Sequence, residues 1–215
     1  MGRINTVLFD FDGTVMDTND VIYRSWQYTY NELTGRDGSD AEIFKTFGEP
    51  LVTSMEKAFP DVPAKKAVDI YRSYQYEHYE DLIELFPGIE ETLIGLKDRD
   101  LKTGLVTSRL RPTTERGMKK YGLERYFDKI VTMEDCTKYK PDPEPINIAL
   151  KKLDSRPGES IMIGDSMFDL RCARNAKVEY AMVGWAQAVD AESLRDDDAP
   201  DHILKRAEDL LDIIR

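Results

Sequence analysis

Two aspartates, separated by one residue, lie at the end of an apolar run near the start of the chain. The run 6–9 leads directly into Asp10 and Asp12. Side chains alternate along an extended chain, so the two carboxylates lie on the same side of it. Like charges this close repel each other, and burial would also remove their solvation. The pair therefore needs a positive partner.

Further polar side chains follow the later apolar runs of the sequence in the same way. They are Thr107, Ser108, Lys140, Asp165 and Asp169. In an open parallel sheet, ligands bind beyond the carboxyl ends of the strands, so these groups are expected to share one rim with Asp10 and Asp12. The rim would combine four carboxylates, two hydroxyls and one lysine. Carboxylate oxygens are the ligands of a hard cation, Mg²⁺ above all.

The elements that must position these groups alternate along most of the chain. Apolar runs typical of buried strands are Thr6–Phe9, Thr103–Val106, Lys129–Thr132, Ser160–Ile163 and Tyr180–Val183. Helical patterns between the later runs are Thr113–Tyr121, Pro143–Leu153 and Phe168–Ala176. Strands that alternate with helices predict an α/β fold with a doubly wound parallel sheet.

One long segment interrupts this alternation. Residues 17–86 contain no strand candidate and are expected to be helical. The helical patterns are Asn19–Leu33, Ala41–Thr46, Leu51–Ala58 and Ala64–Leu85. The Pro and Gly at 87 and 88 are typical of a hinge. We therefore predict a core formed by residues 1–16 and 87–215, with an α-helical insert at 17–86.

Composition excludes several classes of protein. The 215 residues carry a formal net charge of −11, which argues against nucleic acid or an anionic membrane as a partner. Cys136 and Cys172 lack the spacing of a zinc module or disulfide scaffold and fit a reducing compartment. The sequence has no signal-peptide pattern and no apolar run near the ~18 residues of a membrane span. We expect a cytoplasmic protein.

The stretches "DFDGTVMDT", "VTSR", "KPDPEP" and "GDSMFD", in this order, resemble the haloacid dehalogenase superfamily of phosphohydrolases. Within it, the chain is most similar to the branch of phosphoglycolate phosphatases, bacterial pyrophosphatases and β-phosphoglucomutases. "INTVLFDFDGT" and "KPDPEP" look most like the pyrophosphatase type. The resemblance implies a Rossmann-like core, a helical cap and a small phosphorylated metabolite as substrate. We expect a monomer or a weak dimer.

The resemblance also implies catalytic roles. Asp10 would be the nucleophile that forms an aspartyl phosphate, which splits one difficult transfer into two easier steps. Asp12 would be the general acid and base. Thr107 would hydrogen-bond the transferred phosphoryl group, helped by the backbone of Ser108, and Lys140 would neutralise its charge.

A Mg²⁺ site follows from the same resemblance. Its ligands would be Asp10, the backbone carbonyl of Asp12 and Asp165, with Asp169 in a supporting position. The pattern Ser166-x-x-Asp169 is equally typical of a helix capping box. Both roles for Asp169 therefore stay open, and one carboxylate could fill both.

Substrate selection is expected to involve the insert and one arginine. In this branch a cap loop reaches over the crevice, and Gly48 and Glu49 fit that position. Arg109, next to the phosphate-binding hydroxyls, could bind an anionic leaving group bidentately. Arg111 is expected to point into solvent at a helix start.

Several alternatives share part of this pattern. A phosphosugar mutase of the β-phosphoglucomutase type uses the same four motifs and is the main rival. A signalling receiver domain is disfavoured because its paired acids and phosphorylated aspartate follow different strands. A dehalogenase would not need the acid at Asp12, and a phosphonate-cleaving enzyme needs a lysine that Asn19–Leu33 lacks. A catalytically silent interaction protein is disfavoured by the complete motif set.

Overall fold

A computed structural model describes residues 4–185, 189 and 194–214. The chain divides into two compact units. The core unit comprises Met1–Asp17 and Leu85–Arg215, and the insert unit comprises Thr18–Glu84.

The described part of the chain contains eight strands. They are β1 (Thr6–Phe9), β2 (Met16–Asp17), β3 (Glu84–Leu85), β4 (Lys102–Val106), β5 (Lys129–Val131), β6 (Ser160–Gly164), β7 (Glu179–Val183) and β8 (His202–Leu204). It also contains nine α-helices. They are α1 (Asn19–Thr34), α2 (Asp40–Phe44), α3 (Leu51–Ala58), α4 (Ala64–His78), α5 (Ile89–Asp98), α6 (Arg111–Tyr121), α7 (Glu144–Leu153), α8 (Met167–Ala176) and α9 (Leu210–Ile213).

The core unit is built on a parallel sheet of six strands in the order β5-β4-β1-β6-β7-β8. Every described pairing in it is parallel. Phe9 at the end of β1 lies opposite Leu105 of β4 and Ile163 of β6, so the ends of three neighbouring strands lie side by side. The predicted α/β fold with a parallel sheet is confirmed.

Burial explains why β1 contains three consecutive apolar residues. Val7 and Leu8 are fully buried, as expected for a central strand covered on both faces. Leu8 belongs to a core cluster with Val106, Met162 and Leu150 of α7. Helix α7 packs against β4 and β5, and α8 packs against β6 and β7. The apolar core thus fixes the strand ends where the polar residues follow.

The insert unit has its own aromatic core. Helix α1 packs against α4, and α3 packs against α4 as well. Trp26 stacks on Phe59 and meets Tyr71 edge-on, with ring centroids 6.3 and 5.7 Å apart. Tyr30 contacts the other edge of this cluster through Phe59 at 4.8 Å. This cluster gives the helices a common buried surface.

Two expectations about residues 17–86 are wrong. Helix α4 ends at His78 rather than at residue 85, and Glu84–Leu85 is a strand that forms a two-stranded sheet with β2. Acidic residues at 80 and 81 disfavour continuation, because negative charge is unfavourable at a helix C-terminus. The proline at 87 also holds the residue before it extended, which disfavours a helix that continues to residue 85.

Strands β2 and β8 and helices α5 and α9 had no counterpart among the predicted elements. The two apolar residues of β8 lie between His202 and the charged Lys205, and an acidic loop precedes them, so they do not form a recognisable apolar run. Within the described residues, none of the helices combines the length and the apolar character needed to cross a bilayer.

Candidate active site

Polar residues follow the central strands directly. The backbone N–H of Asp10 still donates to the carbonyl of Ile163 at 2.8 Å, so β1 holds its register one residue past its end. Thr107 donates in the same way to Val131 at 3.0 Å. Asp165 follows β6 immediately. The rim predicted from the sequence is therefore built from neighbouring parallel strands, at the edge where ligands bind in such sheets.

Lys140 lies between two carboxylates in the interior of this rim. Its Nζ donates to Asp10 Oδ1 at 2.8 Å and to Asp169 Oδ1 at 2.5 Å. Lys140 is only 5 % exposed and Asp169 only 1 %. Burial lowers the pKa of Lys140, but the carboxylates of Asp10 and Asp169 outweigh burial, so its pKa lies above the ordinary value. Lys140 is therefore a buried ammonium at neutral pH.

The loop that carries Lys140 is anchored at both sides of it. The carboxylate of Glu144 accepts from the backbone N–H of Thr137 at 2.9 Å. On the other side, Asn175 Nδ2 donates to the carbonyl of Pro141 at 2.9 Å. Sequence reasoning did not identify these two anchors. Acidic residues are common at the start of a helix because they interact favourably with its positive end. The sequence alone therefore does not indicate that the Glu144 side chain binds the backbone of the loop before the helix.

Asp169 makes two sets of hydrogen bonds with one carboxylate. Its Oδ2 accepts from the hydroxyl and the backbone N–H of Ser166, at 2.5 and 3.3 Å, while its own N–H donates to Ser166 Oγ. This is the capping box that the sequence indicated for α8. Its Oδ1 contacts Lys140 at the same time.

Three carboxylates form a tight cluster at this rim. Oxygens of Asp10, Asp165 and Asp169 all lie within 4.8 Å of one another. Burial raises the pKa of Asp10 to about 7; Lys140 acts in the opposite direction, and Asp169 adds to the rise. Burial, with the negative charges of Asp169 and Asp10, also raises the pKa of Asp165 well above its usual range. More positive charge would be needed to keep the whole cluster ionised.

Two glycines make room for these carboxylates. Gly13 has φ +72°, and a Cβ on it would lie 2.2 Å from Asp165 Oδ2. A Cβ on Gly164 would lie 2.6 Å from the Cβ of Asp169. Such distances are far below van der Waals contact, so larger residues at either position would displace the acids.

The charges of the site fit a divalent cation. Within the part of the chain that the structure describes, four carboxylates meet two cations here. They are Asp10, Asp12, Asp165 and Asp169, with Lys140 and Arg109. When all six side chains are ionised, the site has two negative charges in excess. One divalent cation would neutralise them. Clustered carboxylate oxygens are also the donors that a hard cation prefers.

Arg109 contacts Asp12 rather than pointing away from the protein. Its Nη1 lies 3.0 Å from Oδ1 and 3.3 Å from Oδ2 of Asp12, and its side chain is 7 % exposed. The side chain of Arg111 is 37 % exposed, in line with the expectation that it points into solvent at a helix start, but it also pairs with an acid. Arg111 begins α6 and its Nη2 lies 2.5 Å from Asp135 Oδ2, because the residues after β5 bring that carboxylate close to the helix start.

The two predicted hydroxyls differ in exposure. Thr107 is 4 % exposed, and its Oγ1 accepts from the backbone N–H of Arg109 at 3.1 Å. That bond does not use the hydroxyl hydrogen, so Thr107 can still donate a hydrogen bond. Ser108 is exposed to solvent.

Gly48 and Glu49 belong to the insert unit. Gly48 has φ +79°, a backbone conformation that favours glycine. Glu49 accepts from Ser54 Oγ at 2.6 Å and pairs with Lys57. Burial tends to raise the pKa of Glu49, but the hydrogen bonds from Lys57 and Ser54 hold it below its usual value. The predicted role of Gly48 and Glu49 in substrate binding stays a prediction.

Comparison with known proteins identifies the family. The family model of haloacid dehalogenase-like hydrolases matches residues 7–183. The chain belongs to this family. It is 35% identical over 212 residues to a pyrophosphatase PpaX of Halalkalibacterium halodurans, covering 99% of this chain and 97% of that protein.

Solved structures of the same family have the same fold as this hydrolase. A haloacid dehalogenase-like family protein from Streptococcus pneumoniae is 26% identical, with a TM-score of 0.87 and 99% of both chains covered. A protein from Lactobacillus plantarum, provisionally assigned as a phosphoglycolate phosphatase, is 26% identical with a TM-score of 0.86, covering 99% of this chain and 100% of that one. The predicted family and the prediction of a phosphohydrolase are confirmed.

Proposed function

We propose that this hydrolase is a Mg²⁺-dependent cytoplasmic phosphatase that acts on a small phosphate compound through an aspartyl phosphate. The observation that carries the proposal is Lys140, buried between Asp10 and Asp169 at the rim of the sheet. Pyrophosphate is the first candidate substrate because the Halalkalibacterium relative is named a pyrophosphatase. Phosphoglycolate or a similar phosphomonoester is the second, from the provisional assignment of the Lactobacillus protein.

Asp10 is the nucleophile in this proposal. Lys140 binds its Oδ1, so Oδ2 is the oxygen that attacks the phosphorus atom. The ammonium of Lys140 offsets the negative charge that the phosphoryl group brings to a site already rich in carboxylates. The hydroxyl of Thr107 donates a hydrogen bond to a phosphoryl oxygen, and the backbone of Ser108 helps to bind the same phosphoryl group.

Asp12 transfers the proton. It protonates the leaving oxygen in the first step and accepts a proton from the attacking water in the second. Its side chain is 27 % exposed, which supports exchange of this proton with an incoming group.

Asp10, Asp165 and the backbone carbonyl of Asp12 would hold Mg²⁺, with Asp169 supporting them. When bound, the ion supplies two positive charges that balance the carboxylates and help to hold the anionic substrate. The excess of negative charge in the site and the oxygen character of its donors support this assignment.

Gly48, Glu49 and Arg109 are proposed to select the leaving group. Glu49 carries a negative charge that would repel a second anionic group, but Lys57 already neutralises part of it within the insert unit. Arg109 supplies the cation that an anionic leaving group needs.

The test is a substrate panel with purified protein. Pyrophosphate, phosphoglycolate, p-nitrophenyl phosphate and several hexose phosphates are incubated with Mg²⁺ or with EDTA, and released phosphate is measured. We expect release from at least one small substrate, and loss of that release in EDTA. No release from any of them would contradict the proposal. An isomerised hexose phosphate without release of phosphate would identify the rival mutase instead.

A further inference from the structure

Arg109 holds the carboxylate of the proposed acid and base. One nitrogen, Nη1, makes both contacts with Asp12, at 3.0 and 3.3 Å. The arginine side chain is 7 % exposed, whereas that of Asp12 is 27 % exposed. The pair is therefore partly shielded from water, and solvent reaches it from the side of Asp12.

The backbone of Arg109 is fixed independently of its side chain. Its N–H donates to Thr107 Oγ1 at 3.1 Å, and its carbonyl accepts from the N–H of Met133 at 3.0 Å. These bonds attach the residue to the segments that follow β4 and β5. A change of partner by the guanidinium would thus leave the backbone of Arg109 in place.

The contact with Asp12 is made by one nitrogen, whereas a guanidinium can bind two oxygens at once. Arginine has five N–H donors in a planar fork that matches the oxygens of a phosphate or carboxylate bidentately. A leaving group with its own negative charge would offer such a pair of oxygens. It would arrive beside Asp12, because Asp12 must reach the oxygen that leaves.

We propose that Arg109 is a positioning residue with two alternative partners. It holds Asp12 in the free enzyme, and it binds the anionic part of the leaving group in the complex, which releases Asp12 for proton transfer. This inference rests on the proposed function, in which Asp12 is the acid. The inference predicts a preference among substrates. A leaving group that carries a second phosphoryl or a carboxylate group releases Asp12, whereas a neutral leaving group does not.

Two partners that compete for one group must show reciprocal coupling. If Asp12 and the anion compete for Arg109, removal of the charge of Asp12 should tighten binding of the anion through Arg109. The same removal also lessens general repulsion, and that part of the gain does not depend on Arg109. A double-mutant cycle separates the two contributions.

The cycle compares wild type, Asp12→Asn, Arg109→Gln and the double variant. Titration calorimetry at a fixed Mg²⁺ concentration measures the binding of methylenediphosphonate, which cannot be hydrolysed, with methylphosphonate as the probe without a second anionic group. Asp12→Asn should tighten diphosphonate binding in both backgrounds. We expect the factor by which binding tightens to be about fivefold larger in the protein with Arg109 than in the Arg109→Gln background. Methylphosphonate should show no such difference.

Arg111→Gln is the matched control, since it removes a neighbouring arginine that pairs with Asp135 instead. The gain from Asp12→Asn should persist in that background. Arg109→Lys tests the same point should the Arg109→Gln variant fold poorly, because it keeps the charge but loses the fork. Equal gains from Asp12→Asn in the wild-type, Arg109→Gln and Arg109→Lys backgrounds would overturn the inference.

Turnover gives a second readout. Arg109→Ala should lower kcat/KM for pyrophosphate or phosphoglycolate far more than for p-nitrophenyl phosphate, and equal losses would count against a role in leaving-group recognition. The binding cycle needs no turnover. A wild-type protein that hydrolyses nothing would therefore contradict the proposed function alone, while a flat cycle in an active enzyme would contradict only the role of Arg109.

Discussion

Asp10 and Asp12 are two residues apart in the chain, yet their carboxylates have different partners. Asp10 is bonded to the ammonium of Lys140, and Asp12 to the guanidinium of Arg109. Lysine is a compact point charge, whereas the planar guanidinium of arginine can bind a pair of oxygens at once. The two partners suit a nucleophile that must stay in place and an acid that must exchange protons.

The first prediction concerns this pair. Asp10→Asn should abolish turnover, because the amide cannot attack phosphorus, while the isosteric side chain preserves the fold. Asp12→Asn should lower kcat by about 10²–10⁴-fold, the usual effect of a lost general acid and base. Steady-state kinetics measure both, with the exposed Asp154→Asn as control. Normal turnover in the Asp10 variant would refute a covalent intermediate on that residue.

The second prediction concerns Lys140. Lys140→Met leaves two buried carboxylates without their ammonium, so we expect the free energy of unfolding to fall by about 3–5 kcal/mol. Lys138→Met is the matched control, because Lys138 is 69 % exposed and lies 3.5 Å from Asp142. Its effect should stay below about 1 kcal/mol. Urea denaturation at pH 7.5 measures both, and similar losses would show that burial does not set the contribution of Lys140.

At the scale of elements, the end of β6 determines where Asp169 can lie. Gly164 is the last residue of the strand, and the capping box of α8 begins two residues later. The carboxylate of Asp169 packs back onto Gly164, where a side chain would otherwise stand. The strand end, the helix start and the lysine partner therefore depend on one close contact.

The third prediction tests that contact. Gly164→Ala should cost about 1–3 kcal/mol of stability, as overpacking does, and should lower turnover by displacing Asp169. Gly158→Ala is the control, since a Cβ there meets nothing within 4 Å. We expect that variant to be neutral or slightly more stable. Thermal unfolding and kcat measure the pair, and an unchanged Gly164 variant would show that Asp169 can move without consequence.

The sequence indicated elements where an apolar run or a helical spacing had no competing signal beside it. Helix α3 at Leu51–Ala58 and strand β1 at Thr6–Phe9 have the predicted bounds. The end of α4 was wrong because apolar spacing continued past the last hydrogen-bonded turn. β8 was missed because its two apolar residues have polar and charged neighbours and do not stand out as a run.

For the site, strand ends predicted which groups share one rim, because parallel strands end at the same edge. The partners of long side chains could not be predicted. Arg109 reaches Asp12, which is 97 residues away in the sequence. Lys140 reaches both Asp10 and Asp169. Such contacts depend on packing across several elements, and no local pattern in one sequence encodes them.

For the whole molecule, charge is the dominant property. The chain carries a net charge of −11, and its candidate site adds a local excess of carboxylates. Folding must bury part of this excess. In the absence of a divalent cation, the folded protein can lower that cost by retaining protons on Asp10 and Asp165, whose pKa values are raised by burial.

The fourth prediction follows from the upward direction of these pKa shifts. The pKa of Asp10 is raised from 3.8 to about 7 on folding, so in this interval the folded state binds a proton that the unfolded state has lost. Stability of the metal-free protein should therefore fall as pH rises from about 4 to about 7, by up to about 1.4 kcal/mol per pH unit for each such proton. Mg²⁺ should restore stability most at the upper end, where the carboxylates are ionised.

Urea denaturation at pH 5 and 7.5, in EDTA and in Mg²⁺, measures this. The Asp10→Asn variant in EDTA is the control, and its stability should fall less between the two pH values. A metal-free wild-type protein that gains stability over this interval would contradict the prediction.

The carboxylate of Asp169 joins the first turn of α8 to the ammonium of Lys140. The backbone N–H groups of Ser166 and Asp169 both take part in the capping box that this carboxylate completes. A bound phosphate that draws Lys140 toward itself would change the charge distribution on the carboxylate of Asp169. The amide resonances of these two residues would then serve as a built-in spectroscopic reporter, through which occupancy of the site could be followed without a label.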